Sequence, residues 1–202
     1  ISFSKMITVG ITGGIGSGKT TIAKYFSSEF DIPVYYADTE AKALMNTEAL
    51  RKPIKELLGE AAYVEEKLDR KYVASKVFND RDLLEQLNQI VHPAVGEHFK
   101  KWISQQDAPY ILKEAAILFE NGTASALDYI ILITAPKKLR IQRVLERDDS
   151  TVEDIENRMN KQWDDVKKIP LADFIIENIE LDNSKLQAKN IHRQILRDRV
   201  NT

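Results

Sequence analysis

An α/β fold built on a central parallel sheet follows from three features of the sequence. Five short apolar runs, Ile7–Thr12, Pro33–Tyr36, Tyr110–Leu112, Tyr129–Thr134 and Phe174–Ile176, have the length of buried strands. Helical periodicity fills the stretches between them, the alternation expected of parallel strands joined by helices. Five of the eight glycines are gathered between Gly10 and Gly18, where the first strand gives way to the first helix.

After the first strand comes Gly13-Gly14-Ile15-Gly16-Ser17-Gly18-Lys19-Thr20, which fits G-x-x-x-x-G-K-[ST] at every fixed position. Ile22, Ala23, Tyr25, Phe26 and Phe30 then recur at helical spacing. Glycines let backbone N–H groups close on phosphate oxygens, and the following helix points its positive end at the same anion. The expected phosphate-binding set is Gly13, Gly14, Ile15, Gly16, Ser17, Gly18, Lys19, Thr20 and Thr21. Lys19 is expected to bridge the β- and γ-phosphates and the Thr20 hydroxyl to bind Mg²⁺. The fold class thereby sharpens to a P-loop NTPase, a three-layer sandwich that binds a nucleoside triphosphate.

The second strand ends at Ala37-Asp38. Ligands of open parallel sheets sit outside the carboxyl ends of the strands, so Asp38 is a candidate catalytic or metal-organising carboxylate. Capping of a helix Thr39–Leu44 is its structural alternative. The chain from 38 to 107 is far longer than one crossover needs. It reads as helical throughout, with stripes Leu83, Leu84, Leu87, Ile90, Val91 and Val95, Phe99, Trp102, Ile103. Pro93 is expected to kink or break that long helix. This helical insertion is expected to seat a second substrate, and His92 within it is a candidate phosphate contact.

The third strand ends near Glu114, a second candidate for the acidic Mg²⁺ position, with Glu120 a few residues on. Either is alternatively an ordinary loop carboxylate. Between the fourth and fifth strands lies a second helical insertion, 136–170. Pro136 suits a first helical turn, and Ser150-Thr151-Val152-Glu153 reads as a capping box. Arg140, Arg143 and Arg147 fall at i, i+3 and i+7, one helical face able to neutralise polyphosphate charge. The alternative is a solvated basic face compensated by Glu146, Asp148 and Asp149.

A net charge of −2 argues against a nucleic-acid partner, and the absence of cysteine excludes disulfides and thiolate metal sites. No apolar run approaches the ~18 residues of a membrane helix, so no membrane partner is expected. Ile1-Ser2-Phe3-Ser4-Lys5 has no signal-peptide core, Met6 is a candidate natural start, and a cytoplasmic enzyme is expected. The chain reads as one domain with two insertions, a monomer or weak homo-oligomer. His98 and His192 lie among surface-type residues, and Trp102 and Trp163 read as core or edge residues.

Taken in order, these elements resemble the dephospho-CoA kinase family. Ile11-Thr12 with the glycine loop, Tyr36-Ala37-Asp38, His92-Pro93, Ile117-Leu118-Phe119-Glu120 and Gln142-Arg143-Val144-Leu145-Glu146-Arg147-Asp148 follow that family's signatures. Arg158 with Gln162, and Ala172-Asp173 with Asn178, are similar to its later ones. The resemblance implies transfer of the ATP γ-phosphoryl to the ribose 3′-hydroxyl of dephospho-CoA. It implies a central sheet, a helical CoA-binding part and a mobile helical lid. Asp38, Lys19 and Arg147 would be catalytic; Arg143 and Asn178 would meet the nucleotide; His92, Glu120 and Arg140 would meet the acceptor; Thr20, Asp38 and Glu114 would hold Mg²⁺. Three positions depart from the pattern: Tyr36 for an acidic residue, Ala116 for proline, and Ile179-Glu180 after Asn178. Another nucleotide or small-molecule kinase on the same scaffold, or a nucleotide-regulated switch, is the alternative, since scaffold does not decide acceptor.

Overall fold

A computed structural model describes residues 6–200. In chain order the elements are β1 (Ile7–Thr12), α1 (Lys19–Phe30), β2 (Val34–Tyr36), α2 (Ala37–Leu44), α3 (Glu48–Leu58), β3 (Tyr63–Val64), β4 (Lys67–Leu68), α4 (Arg70–Val77) and α5 (Arg81–Ile103). They continue with β5 (Tyr110–Glu114), β6 (Tyr129–Thr134), α6 (Lys137–Arg147), α7 (Val152–Met159), α8 (Asp165–Lys168), β7 (Phe174–Glu177) and α9 (Leu181–Val200). The chain divides into two compact units, one running up to Tyr36 and resuming at Gln106, the other Ala37–Gln105.

The first unit carries a five-stranded sheet in the order β2-β5-β1-β6-β7, and every pairing in it is parallel. The five apolar runs of the sequence are these five strands. β1 is central because Val9 and Ile11 are fully buried and need cover on both sides. Its register with β5 pairs Ile11 with Glu114, and β2 pairs Tyr36 with the same residue. Helices α1 and α9 pack together, and Ile22, Ala23, Phe26, Ala188, Ile191 and Ile195 join Val9, Ile11, Ile131 and Ile133 in one core. α1 ends where Asp31 adopts a left-handed conformation, φ 54°, and its N–H donates to Phe26 O.

Within this unit, His192 on α9 departs from its surface reading. Its ring stacks on Phe30 at 4.1 Å between centroids, and its Nδ1 lies 2.8 Å from the Tyr110 hydroxyl. The expected capping box sits one residue further on. Thr151 caps α7, its hydroxyl accepting from Asp154 N, while the Asp154 carboxylate accepts from Thr151 N.

In the second unit α2, α3 and α4 pack on α5, whose Leu87, Val91, Val95 and Phe99 are buried at four-residue intervals. α4 and α5 start from Asp69 and Asp80, whose carboxylates accept from Tyr72 N and Leu83 N. The expected break at Pro93 does not occur. Proline removes one ladder donor, and the packed stripe on either side holds the helix continuous. The unit is also not helical throughout, because β3 and β4 form an antiparallel hairpin. Its two-residue turn, Glu65-Glu66, has φ of 48° and 65°.

No helix of the described residues is long and apolar enough to cross a membrane. The expectation about Met6 as a start turns on residues 1–5, which lie outside the described residues.

Candidate active site

The loop between β1 and α1 is tightened by a hydrogen bond from Ser17 N to Gly14 O, 3.0 Å. Gly16 and Gly18 sit at φ 76° and 89°, where side chains are strained. A Cβ would also collide with Arg140 O at Gly16 and with the Asn178 amide at Gly18. Glycine at these two positions is therefore a steric requirement. The Ser17 side chain is fully buried, and its Oγ has no hydrogen-bond partner in the protein.

Lys19 opens α1, and its Nζ lies 3.1 Å from Glu114 Oε1 at the end of β5. Both side chains are largely buried, at 19% and 7% exposure. Burial, with the Glu114 charge next to it, pushes the Tyr36 phenol above its usual range. Thr20 and Thr21 are exposed in the first turn of α1. An ammonium, a helix N-terminus and a glycine loop meet here, an arrangement able to hold an anion.

The loop is braced from behind. Asn178 is buried; its Nδ2 donates to Ser17 O at 2.8 Å, and its Oδ1 accepts from Ser184 Oγ at 2.8 Å. Arg143 donates to Asn178 O at 2.9 Å and to Ser17 O at 3.4 Å. Arg140 donates from Nε to Ile15 O at 2.8 Å, and its NH1 lies 3.6 Å from Asp165 Oδ2. Ile15 N donates to Gln162 Oε1 at 2.9 Å. Burial raises the Asp165 carboxyl above the usual range, against the opposing pull of Arg140 and Lys168. Glu120 pairs with the fully buried Lys168 at 2.8 Å and accepts from Trp163 N at 3.0 Å.

The structure thus gathers Gly13 through Lys19, Glu114, Arg140, Arg143 and Asn178 around one loop. Arg147 is not among them. It stands at 64% exposure, forked onto the neighbouring Asp148 at 2.7 and 2.9 Å. Asp38 and His92 belong to the other unit. Asp38 is an exposed residue in the first turn of α2, inside the helix rather than capping it, and His92 is exposed on α5. Sequence reasoning missed Lys168 and Ser184 altogether, since each sits in a polar stretch without periodic cue.

A family model described as dephospho-CoA kinase matches residues 7–183. The chain belongs to the dephospho-CoA kinase family. A dephospho-CoA kinase of Bacteroides fragilis is 38% identical over 174 residues, 85% of this chain and 84% of that protein. The crystal structure of a Thermus thermophilus protein is 31% identical and superposes with a TM-score of 0.88, covering 95% of this chain and 98% of that one. A dephospho-CoA kinase from Campylobacter jejuni, 24% identical over 95% of this chain and 98% of its own, shares the fold at a TM-score of 0.68. As a member of the dephospho-CoA kinase family the chain is an ATP-dependent kinase with dephospho-CoA as acceptor.

Proposed function

We propose that the chain works through the loop Gly13–Thr20, with Lys19 as the cation that meets the transferring phosphoryl and Asp38 as the carboxylate beside the acceptor hydroxyl. The observation that supports this most directly is the Lys19–Glu114 pair at the mouth of the glycine loop. The pair keeps the ammonium at the mouth of the loop, where the γ-phosphoryl would arrive. The 3′-hydroxyl oxygen of dephospho-CoA attacks the γ-phosphorus and the bond to the β,γ-bridging oxygen breaks. ADP departs, and the hydroxyl proton passes to Asp38.

Among the described residues no group of three or more His, Cys, Asp or Glu side chains is placed to hold a metal ion alone. That suits Mg²⁺, which takes one or two protein ligands and completes its shell from phosphates and water. The Thr20 hydroxyl and the Glu114 carboxylate, whose Oε1 lies 3.1 Å from the Lys19 ammonium, would be the protein donors of such a set. When bound, Mg²⁺ supplies charge neutralisation at the phosphates. A cytoplasmic setting is part of this reading, and a chain without cysteine, needing no disulfide, suits a reducing compartment.

The test is ADP release from Mg-ATP with dephospho-CoA, AMP, adenosine, shikimate or gluconate as acceptor. Stimulation by dephospho-CoA, with CoA as product, is expected. Stimulation by a different acceptor overturns the assignment of the acceptor. Asp38→Asn, nearly isosteric, is expected to lower turnover while ATP binding survives; an equal loss of ATP affinity overturns its role at the hydroxyl.

A further inference from the structure

The residue at the bend of the glycine loop has both of its backbone polar groups held by side chains from outside the loop. Ile15 N donates to Gln162 Oε1, and Ile15 O accepts from Arg140 Nε. These two holding groups are themselves secured. Gln162 immediately precedes Trp163, whose N–H donates to Glu120 Oε1, and Asp165 lies against the Arg140 guanidinium. Behind them Lys168, with no exposed surface, places Nζ 2.8 Å from Glu120 Oε1. A fully buried ammonium keeps its charge only beside a counter-charge. The Lys168–Glu120 pair therefore ties the stretch 162–168 to the end of Ile117-Leu118-Phe119-Glu120. Oε1 of Glu120, a residue expected at the acceptor, makes both contacts, to Trp163 N and to Lys168 Nζ.

We propose that Gln162 and Lys168 are positioning residues of the phosphate loop: the buried Lys168–Glu120 pair fixes Gln162 so that it holds Ile15 in the nucleotide-binding conformation. A loop with residues at φ 76° and 89° has many other conformations open to it when unheld. Each one populated in the free protein lowers apparent nucleotide affinity by the fraction it occupies. Gln162 and Arg140 remove that freedom before the nucleotide arrives, and Lys168 removes it from Gln162. The effect falls on nucleotide affinity and leaves the transfer step alone, because the side chains of Gln162 and Lys168 hold Ile15 and Glu120 and not Lys19.

The experiment is ADP titration by calorimetry without acceptor, together with kcat and KM for ATP at saturating dephospho-CoA, and thermal midpoints. Gln162→Ala removes the acceptor of the Ile15 N–H. It is expected to raise the ADP Kd and the ATP KM by about tenfold, the equivalent of one hydrogen bond. Its kcat at saturating ATP stays within about twofold by the same reasoning. Gln162→Glu keeps an acceptor oxygen for the Ile15 N–H and is expected to bring the ADP Kd back towards wild type, short of it by the repulsion between its carboxylate and the nucleotide phosphates. Lys168→Met is expected to shift both constants the same way while lowering the thermal midpoint. Should that variant fail to fold, the Gln162 pair decides. An ADP Kd for Gln162→Ala within threefold of wild type overturns the proposal, as does a loss confined to kcat. Wild-type protein that binds no ADP would overturn the nucleotide site itself, a result separable from either.

Discussion

Lys19 is held by Glu114 before any nucleotide arrives, so removing it has two consequences. Lys19→Ala is expected to cost about a hundredfold or more in kcat, as loss of a charge-stabilising donor does. It also strands Glu114, whose side chain is 7% exposed, with a charge and no counter-ion at 3.1 Å. The stability loss is expected to reach up to about 3 kcal/mol. Adding Glu114→Gln should restore the urea midpoint and leave activity lost; full recovery of turnover would show that Lys19 serves the fold alone. At Gly18 backbone and packing act together. Gly18→Ala places a side chain at φ 89°, costing about 1–2 kcal/mol, and drives it into the Asn178 amide that supports Ser17. Loss of ADP binding by the Gly18→Ala protein is the expected measurement. These residues were readable from sequence because a phosphate loop leaves few alternatives to glycine. Lys168 was not, since its pairing with Glu120 exists only once distant segments are folded together.

At the scale of elements, the five strands were legible as short apolar runs: β1, β5 and β6 are buried along most of their length, and the edge strands β2 and β7 only in part. β5 extends beyond its apolar run to Glu114 because neighbours on both sides supply its hydrogen bonds. The arginine stripe of α6 shows where periodicity stops being enough. Arg140 and Arg143 turn onto the glycine loop, whereas Arg147, in the last turn, meets Asp148 beyond the helix end. Spacing alone does not say what lies opposite each residue. At Pro93 the helix runs on unbroken, since the local penalty is outweighed by the buried stripe on α5. The α7 start rests on Thr151 and Asp154, so Thr151→Ala should lower stability by about 1 kcal/mol, read from urea denaturation. A change near zero would mean that packing of Ile155 holds the turn unaided.

At the scale of the first unit, His192 joins three elements. It stacks on Phe30 at the end of α1, receives the Tyr110 hydroxyl of β5 at Nδ1, and sits beside Arg193 on α9. Burial first, then Arg193, lowers its pKa, and burial pushes the Tyr110 phenol far above its usual range, keeping it a donor. The folded state therefore binds fewer protons than the unfolded one over the interval below the ordinary histidine value of about 6.5. Stability contributed by the neutral ring is complete above that value and is lost as pH falls towards the lowered folded one. Urea midpoints at pH 5 and 7.5 are expected to differ more for wild type than for His192→Gln. Equal differences would show that the ring does not set this slope. Sequence gave His192 no mark, because a histidine among Asn190, Arg193 and Gln194 looks solvated until Phe30 is packed against it.

The hairpin of the second unit has a consequence of its own for how this chain can change. Glu65 and Glu66 both adopt positive φ in a two-residue turn that asparagine and glycine accommodate far better. Its one counterweight of note is the ion pair of Glu66 with Arg51 at 3.1 Å, and with Glu66 80% exposed such a pair is worth at most about 1 kcal/mol. Replacing the dipeptide with Asn-Gly should therefore stabilise the protein, read as a raised thermal midpoint. The turn is thus a reserve of robustness, able to offset a destabilising substitution elsewhere and so widen the set of sequences this kinase can explore.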